Sequence, residues 1–170
     1  PDIRAVDIQP VPDSFHARYA AHAKTYRYYL LNARVDDPFL FDTCHRIWPA
    51  LDLAAMQAAA AKFVGTHDFS ALCASGSSAA AHGDTVRTIT DCTVVQGGDL
   101  FTISVTADGY LYNMVRILAG TLVQAGLHKR TPDSIPPLLE SRDRKQAGPT
   151  LPAKGLFLER VDYPGLDAIS

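Results

Sequence analysis

The sequence predicts an α+β domain in which an antiparallel sheet carries helices mainly on one face. The chain has 170 residues, 47% of them hydrophobic, which is about the length and composition of one domain with a buried core. Stretches with the two-residue period of strands are separated by stretches with helical spacing. Because two strands follow each other directly instead of alternating with helices, the pattern favours an antiparallel sheet.

The first strand is expected within residues 15–31, where bulky side chains alternate near the end. The alternation places Tyr26 and Tyr28 on one face and Tyr29 on the other, so both faces carry aromatic rings. An alanine-rich helix follows from Leu53 to Phe63. Asp52 is placed to cap this helix, and Gly65 to close it.

A hairpin and a second helix occupy the middle of the chain. Residues 75–83 are small and polar, which predicts a poorly ordered surface loop. The β-branched runs from Val86 to Val95 and from Leu100 to Thr106 flank two glycines and predict an antiparallel hairpin. Apolar residues then recur every three or four positions from Leu111 to Leu122. They predict an amphipathic helix that packs on the sheet, with Gly126 placed to stop it.

Two short elements complete the predicted domain. Thr131 and Pro132 are placed as N-cap and first residue of a helix that runs to about Ser141. The stretch from Leu156 to Tyr163 returns to a strand pattern. The sequence contains no internal repeats.

Composition narrows the possible functions. With 16 basic and 18 acidic residues, the chain has no global positive charge, so nucleic-acid binding requires local evidence. Its three cysteines lack metal-site spacing and are odd in number, which argues against a zinc knuckle and a complete disulfide framework. No apolar run reaches bilayer length and no signal peptide is evident. We therefore expect a soluble protein of the cytoplasm. The chain lacks an initiator methionine, which predicts that it is a piece of a longer protein.

A first candidate site combines cations with aromatic rings. Arg18, Lys24 and Arg27 alternate with tyrosines between residues 14 and 29. Cations bind phosphates and aromatic faces accept unstacked bases, which is what recognition of a single-stranded or flipped nucleotide requires. Composition alone favours the structural alternative, an aromatic sheet face with solvated arginines between the rings.

A second candidate is Arg116, which falls beside the apolar stripe of the predicted second helix. An arginine near a buried helix face needs a carboxylate partner, because an unpaired buried charge is costly. Pairing with Asp108 or Asp143, or extension of the side chain to solvent, remains open.

Leu156, which follows Gly155 at the start of the last strand, would on its own be a core residue. No histidine pair has metal-ligand spacing, and no nucleophile lies in a glycine-rich elbow, so hydrolase, kinase and metalloenzyme functions have no support.

Taken together, these segments resemble the TruA family of tRNA pseudouridine synthases over nearly the whole chain. The matching segments, in chain order, are Phe15-His16-Ala17-Arg18, Lys24-Thr25-Tyr26-Arg27-Tyr28, His67-Asp68-Phe69-Ser70, Leu111 to Leu122 with its Met-Val-Arg and Gly-Thr-Leu elements, and Gly155-Leu156-Phe157-Leu158. The tyrosine strand and the Met-Val-Arg helix are the most specific of them.

The resemblance implies an isomerase that converts uridine to pseudouridine in the anticodon arm of tRNA, without a cofactor and as a homodimer. It also implies a cleft between two similar halves that form one sheet, of which residues 1–170 would be the C-terminal half. The family's nucleophilic aspartate lies in an upstream Gly-Arg-Thr-Asp-Ala-Gly-Val-type motif, and no such motif occurs from Pro1 to Ser170. The isolated chain is therefore expected to be inactive.

The resemblance also assigns roles to individual residues. Tyr26 would stack on the flipped uracil, Arg116 would form an ion pair with the aspartate, and Leu156 would form an apolar wall. Contacts with RNA phosphates would fall to the three cations Arg18, Lys24 and Arg27. The alternatives are a non-catalytic RNA-binding α+β module, although the signature of the RRM is absent, and a purely structural or dimerisation domain.

Overall fold

A computed structural model describes residues 3–74 and 82–165, so the predicted loop at 75–83 lies largely outside the described residues. Six strands and three α-helices are found in the part that is described. The strands are β1 (Ala23–Leu31), β2 (His45–Arg46), β3 (Gly65–Asp68), β4 (Val86–Gly97), β5 (Leu100–Ala107) and β6 (Leu156–Asp162). The helices are α1 (Leu53–Ala61), α2 (Met114–Gly126) and α3 (Ile135–Ser141).

The six strands form one sheet in the order β2-β1-β5-β4-β3, with β6 also paired to β1. All pairings are antiparallel except that of β1 with β2. One edge of β1 pairs with β5 along its whole length. Its other edge is shared between β6, over residues 23–28, and the short β2, over residues 30–31. β1 is therefore enclosed by strands on both edges.

One face of the sheet builds the core. Tyr28 and Leu30 of β1 are fully buried beside their β5 partners Ile103 and Phe101. Met56 of α1 and Leu118 of α2 belong to the same cluster of buried side chains. The intervening residues of β5 are only half-buried. The predicted α+β fold, with its helices on one side of an antiparallel sheet, is confirmed.

Several predicted boundaries need correction. Asp52 caps α1 as expected, because its Oδ1 accepts a hydrogen bond from the Ala55 amide at 3.1 Å. Gly65, however, does not close α1. It has φ +123° and is the first residue of β3, a strand that the sequence pattern did not predict.

Gly126 is the last residue of α2, but it serves helix packing rather than a left-handed stop. A Cβ at Gly126 would lie 2.8 Å from Cγ of Met56, so the glycine allows α1 to approach α2. The left-handed backbone follows at His128, with φ 54°. The third helix also differs from expectation, since residues 132–134 form a 3₁₀ turn and the α-helix begins only at Ile135.

Residues 15–22 are not part of the first strand. The Ala20 amide donates to the carbonyl of His16 at 2.8 Å, which makes a turn ahead of β1. This turn is attached to the end of β6, because the Tyr163 hydroxyl donates to the Ala17 carbonyl at 2.8 Å. The rings of Phe15 and Tyr163 also lie 5.0 Å apart. The hydrophobic and hydrogen-bonding contacts with β6 override the strand pattern.

α2 is crossed at very short distance by the segment that leads to β6. A Cβ at Gly120 would overlap the carbonyl oxygen of Pro149, and one at Gly148 would overlap the amide of Thr121. The hydroxyl of Thr121 accepts from the Gly148 amide at 3.0 Å and donates to the Ile117 carbonyl at 2.8 Å. The Gly-Thr element of α2 therefore fixes the position of residues 148–152.

Replacement of Gly120 by alanine should destabilise the protein, because the new Cβ would overlap the backbone of Pro149, which cannot move away as a flexible side chain could. Overpacking of this kind costs about 1–3 kcal/mol, against about 1 kcal/mol gained from the better helix propensity of alanine. Since the clash is with backbone, the upper end of that cost applies, and we expect a net loss of about 2 kcal/mol in urea unfolding.

The matched control is Gly97→Ala, because a Cβ at Gly97 has no atom within 4 Å. This variant should change the free energy of unfolding by no more than about 0.5 kcal/mol. Equal effects of the two substitutions would contradict the close crossing at Gly120.

Candidate active site

Of the three residues that the sequence analysis assigned to catalysis, Tyr26 and Leu156 are neighbours of the buried Tyr28 in the sheet. Arg116 binds the carbonyl next to the one that Tyr28 binds. Tyr26 and Tyr28 point to the same face of β1, and Tyr26 is half-buried at the margin of the core. Leu156, on β6, is the register partner of Tyr28. Leu158 is the partner of Tyr26, so Leu156 lies diagonally across from Tyr26 on the same face. Tyr26 and Leu156 thus border one half-buried, apolar part of the sheet.

The ring of Tyr26 rests on a second tyrosine. The ring of Tyr110 lies 5.0 Å from that of Tyr26 at an interplanar angle of 85°, a favourable edge-to-face arrangement. The Tyr110 hydroxyl lies 2.8 Å from both the Lys24 and the Val105 carbonyl oxygens, which share its one proton. Burial raises the pKa of Tyr110, with the nearby Tyr26 adding to the rise, so the phenol remains a donor. Tyr110 therefore packs on Tyr26 and is itself anchored to β1 and β5.

Arg116 is held by two neutral acceptors. Its Nε donates to the Leu151 carbonyl at 2.6 Å, and its Nη1 donates to Oδ1 of Asn113 at 2.8 Å. The contact with Leu151 is reciprocal, because the Leu151 amide donates to the Arg116 carbonyl at 3.3 Å. No carboxylate of the described residues lies within 4.0 Å of the guanidinium.

The carboxylates that sequence reasoning left open as partners of Arg116 bind elsewhere. Asp108 accepts from the Thr88 amide at 3.0 Å, and Asp143 accepts from the Lys145 amide at 2.9 Å. Arg116 is half-buried, so the side chain is not simply extended into solvent. The local pairing that composition allowed is therefore wrong for the described part of the chain.

Tyr28 connects Arg116 with Leu156. Its hydroxyl donates to the carbonyl of Pro152 at 2.6 Å, one residue after the carbonyl that binds Arg116. Burial raises the pKa of Tyr28, and the charge of Arg116 opposes that rise. Gly155 makes the contact possible, since a Cβ there would lie 2.9 Å from Cζ of Tyr28.

The three candidate phosphate contacts occupy different surfaces. Lys24 points to the same face of β1 as Tyr26. Arg27 points to the opposite face, where it pairs with Glu159 at 2.9 Å, both side chains being about 40% exposed. Arg18 lies in the exposed turn before β1, with its guanidinium carbon 5.8 Å from the ring centroid of Tyr19. Of the three, only Lys24 shares the face of Tyr26 and Leu156.

Two residues with clear positions in the site were given no role by sequence reasoning. Tyr110 and Asn113 lie within the segment that carries Arg116, but their function depends on contacts formed in the folded chain. The sequence pattern placed Asn113 inside the helix predicted from Leu111, whereas α2 begins only at Met114.

The family of the chain follows from comparison with known proteins. A family model described as tRNA pseudouridine synthase matches residues 59–164. The chain belongs to the tRNA pseudouridine synthase family. The match includes Arg116 and Leu156. Tyr26 lies before it.

Curated relatives within the tRNA pseudouridine synthase family extend the similarity over most of the chain. The protein named tRNA pseudouridine synthase A from Acetivibrio thermocellus is 45% identical over 162 residues, covering 95% of this chain and 65% of the relative. The proteins of the same name from Thermoanaerobacter sp. and Moorella thermoacetica are 44% and 45% identical with the same coverage. The chain thus spans about two-thirds of the length of these relatives. In the described residues, no helix is long and apolar enough to cross a membrane.

Removal of one hydroxyl tests the anchoring of Tyr26. Tyr110→Phe keeps the edge-to-face contact but takes the donor away from two strand carbonyls. The free energy of unfolding should fall by about 1–2 kcal/mol, the effect of losing a buried hydrogen bond.

Tyr112→Phe is the matched control, because Tyr112 is 60% exposed and its hydroxyl has no hydrogen-bond partner among the described residues. It should leave the unfolding midpoint in urea nearly unchanged. If Tyr110→Phe were as harmless as this control, the hydroxyl would not anchor the strands.

Proposed function

We propose that this chain is the C-terminal, uracil-binding part of an enzyme that converts uridine to pseudouridine in the anticodon arm of tRNA. The observation that carries the proposal is Arg116, which two neutral acceptors hold in place. One of them, the Leu151 carbonyl, precedes the Pro152 carbonyl that binds Tyr28, the neighbour in the sheet of the half-buried Tyr26 and Leu156. A guanidinium held in this way is oriented but keeps its charge unneutralised. It is suited to an anionic partner that the described residues do not provide.

The chemistry of the reaction explains why such a pocket is needed. The bond from N1 of uracil to C1′ of the ribose breaks, the base turns, and a bond from C5 to C1′ forms. The proton on C5 is lost and N1 gains one, so the product is an isomer and the balance needs no redox cofactor. The detached base must be held while both bonds are absent. The ring of Tyr26 supplies a stacking face, and Leu156 an apolar wall that excludes water.

The nucleophile in this proposal is an aspartate outside the 170 residues. The chain covers 65% of its curated relatives, which leaves room for such a residue in the whole protein. A carboxylate in an apolar pocket would tend to be protonated, because burial penalises the charged form. The charge of Arg116 opposes this and keeps the aspartate ionised for attack.

Contacts with the tRNA backbone are assigned to the three cations. Lys24 is the best placed for a phosphate of the nucleotide that enters the pocket, because it shares the face of Tyr26. Arg18, beside Tyr19, is suited to a neighbouring stretch of RNA. Arg27 would have to leave its exposed pair with Glu159, which costs little because such pairs contribute about 0–1 kcal/mol.

We further propose that the whole enzyme is a cytoplasmic homodimer. This rests on the resemblance to the TruA family. The three cysteines are free and buried, and burial raises the pKa of Cys92 to about 12, which is compatible with a reducing compartment.

The test is pseudouridine formation on an unmodified tRNA transcript by the full-length protein and its variants. Arg116→Gln removes the charge, and Tyr26→Ala the stacking face. Each should slow the reaction at saturating enzyme by about 100-fold or more, in line with the loss of one strong stabilising group at an active site. The 170-residue chain alone should be inactive because it lacks the aspartate.

Arg46→Gln is the control, because the side chain of Arg46, in β2, forms a surface ion pair with Asp36 and was assigned no role in the site. It should keep the wild-type rate. Full activity of both site variants would refute the assigned roles. An inactive full-length protein that still binds the tRNA would favour the RNA-binding module instead.

A further inference from the structure

Asn113 adopts a backbone conformation that few residues tolerate. It precedes α2 with φ 60° and ψ 11°, in the left-handed region. Apart from glycine, asparagine is among the residues that enter this region most readily. An asparagine before a helix commonly accepts a hydrogen bond from an amide of the first turn, but the side chain of Asn113 makes no such bond. Its oxygen accepts from Nη1 of Arg116 instead.

The acceptor at this position has to be neutral. Glycine would fit the backbone but has no oxygen. Aspartate would tolerate the backbone and supply an oxygen. Its charge, however, would pair with the guanidinium of Arg116, which would then be less available to the reacting carboxylate. Asparagine meets the two requirements together, because its amide oxygen orients the guanidinium without neutralising it.

Two contacts fix the plane of the guanidinium. Leu151 binds Nε through a backbone carbonyl, which no substitution at that position removes. Asn113 binds Nη1 through its side chain, one helical turn before Arg116. No acceptor is found for Nη2 among the described residues, so this nitrogen remains available for an anion.

We propose that Asn113 is a positioning residue for the isomerisation, which fixes Arg116 through a neutral acceptor so that Nη2 and the full charge serve the nucleophilic aspartate. This inference rests on the proposed function, since it concerns the same site. Asn113 touches neither the base nor the aspartate and acts only through Arg116.

The test uses the full-length protein and a tRNA transcript under single-turnover conditions, with enzyme in excess. Asn113→Gly keeps the left-handed backbone without strain and deletes the acceptor. We expect the maximal rate to fall about 10-fold, because a misplaced catalytic group is costly, while the enzyme concentration for half-maximal rate changes less than about two-fold. Urea unfolding should show no loss of stability, since glycine relieves the backbone strain.

Two further variants separate positioning from structure. His128→Gly changes another left-handed residue, with φ 54°, outside the site and should keep the wild-type rate. In an Arg116→Lys background, which lacks the planar fork, Asn113→Gly should cause no further loss, because the partner that it orients is gone. Asn113→Asp should be at least as slow as Asn113→Gly, because its charge competes for Arg116.

The outcomes are decisive for this inference separately from the proposed function. If the wild type is active and the Asn113→Gly variant reacts at the same rate, the positioning role is overturned. It is also overturned if Asn113→Gly slows the Arg116→Lys enzyme by the same factor as it slows the wild type. A fast Asn113→Asp variant overturns the need for a neutral acceptor. If the wild-type protein forms no pseudouridine at all, the proposed function fails, and this inference with it.

Discussion

The close crossing of α2 by residues 148–152 is the constraint on which the rest of the site depends. Two glycines, Gly120 and Gly148, remove the side chains that would keep the backbones apart, and Thr121 links them by hydrogen bonds. The crossing brings two successive carbonyls, of Leu151 and Pro152, against α2 and β1. One binds Arg116 and the other binds Tyr28. The Gly-Thr element after Arg116 is thus a packing requirement of the site.

The electrostatic design of the site follows from that crossing. Arg116 is oriented by backbone and amide oxygens, whose partial charges fix its direction but leave its positive charge uncompensated. The phenols of Tyr28 and Tyr110 stay neutral, since burial raises the pKa of both. The half-buried, apolar margin at Tyr26 and Leu156 lowers the local dielectric, which strengthens the field of the guanidinium. In the proposed function, this arrangement would receive one anion and one flat ring.

Sequence patterns predicted those elements whose signals are local. The cap at Asp52, the hairpin of β4 and β5, and the strand β6 follow from residue type and spacing, and all are present. The strands β2 and β3 were missed, because they have only two and four residues and exist through pairing with longer strands. The role of Gly126 was misassigned because it depends on Met56, seventy residues earlier in the chain.

The residues of the site also divide into those that the sequence identified and those that only the folded chain reveals. Tyr26, Arg116 and Leu156 were identified through resemblance to a family, and their roles stay proposals that the fold supports by grouping them around Tyr28. Tyr110 and Asn113 were not singled out, because their contacts follow from no spacing rule. The Tyr110 hydroxyl binds carbonyls of two strands, those of Lys24 and Val105. The Asn113 side chain binds Arg116 instead of capping its own helix. These contacts are properties of the packed chain.

The most direct test of the account is the distance from Nη2 of Arg116 to the nearest carboxylate in a crystal structure of the full-length protein. We predict an aspartate from outside residues 1–170 at about 2.7–2.9 Å, the length of a charge-assisted hydrogen bond, with the bonds to Asn113 and Leu151 kept. A guanidinium that points away from Tyr26 and Leu156, or that has no carboxylate within about 4 Å, would contradict the central claim.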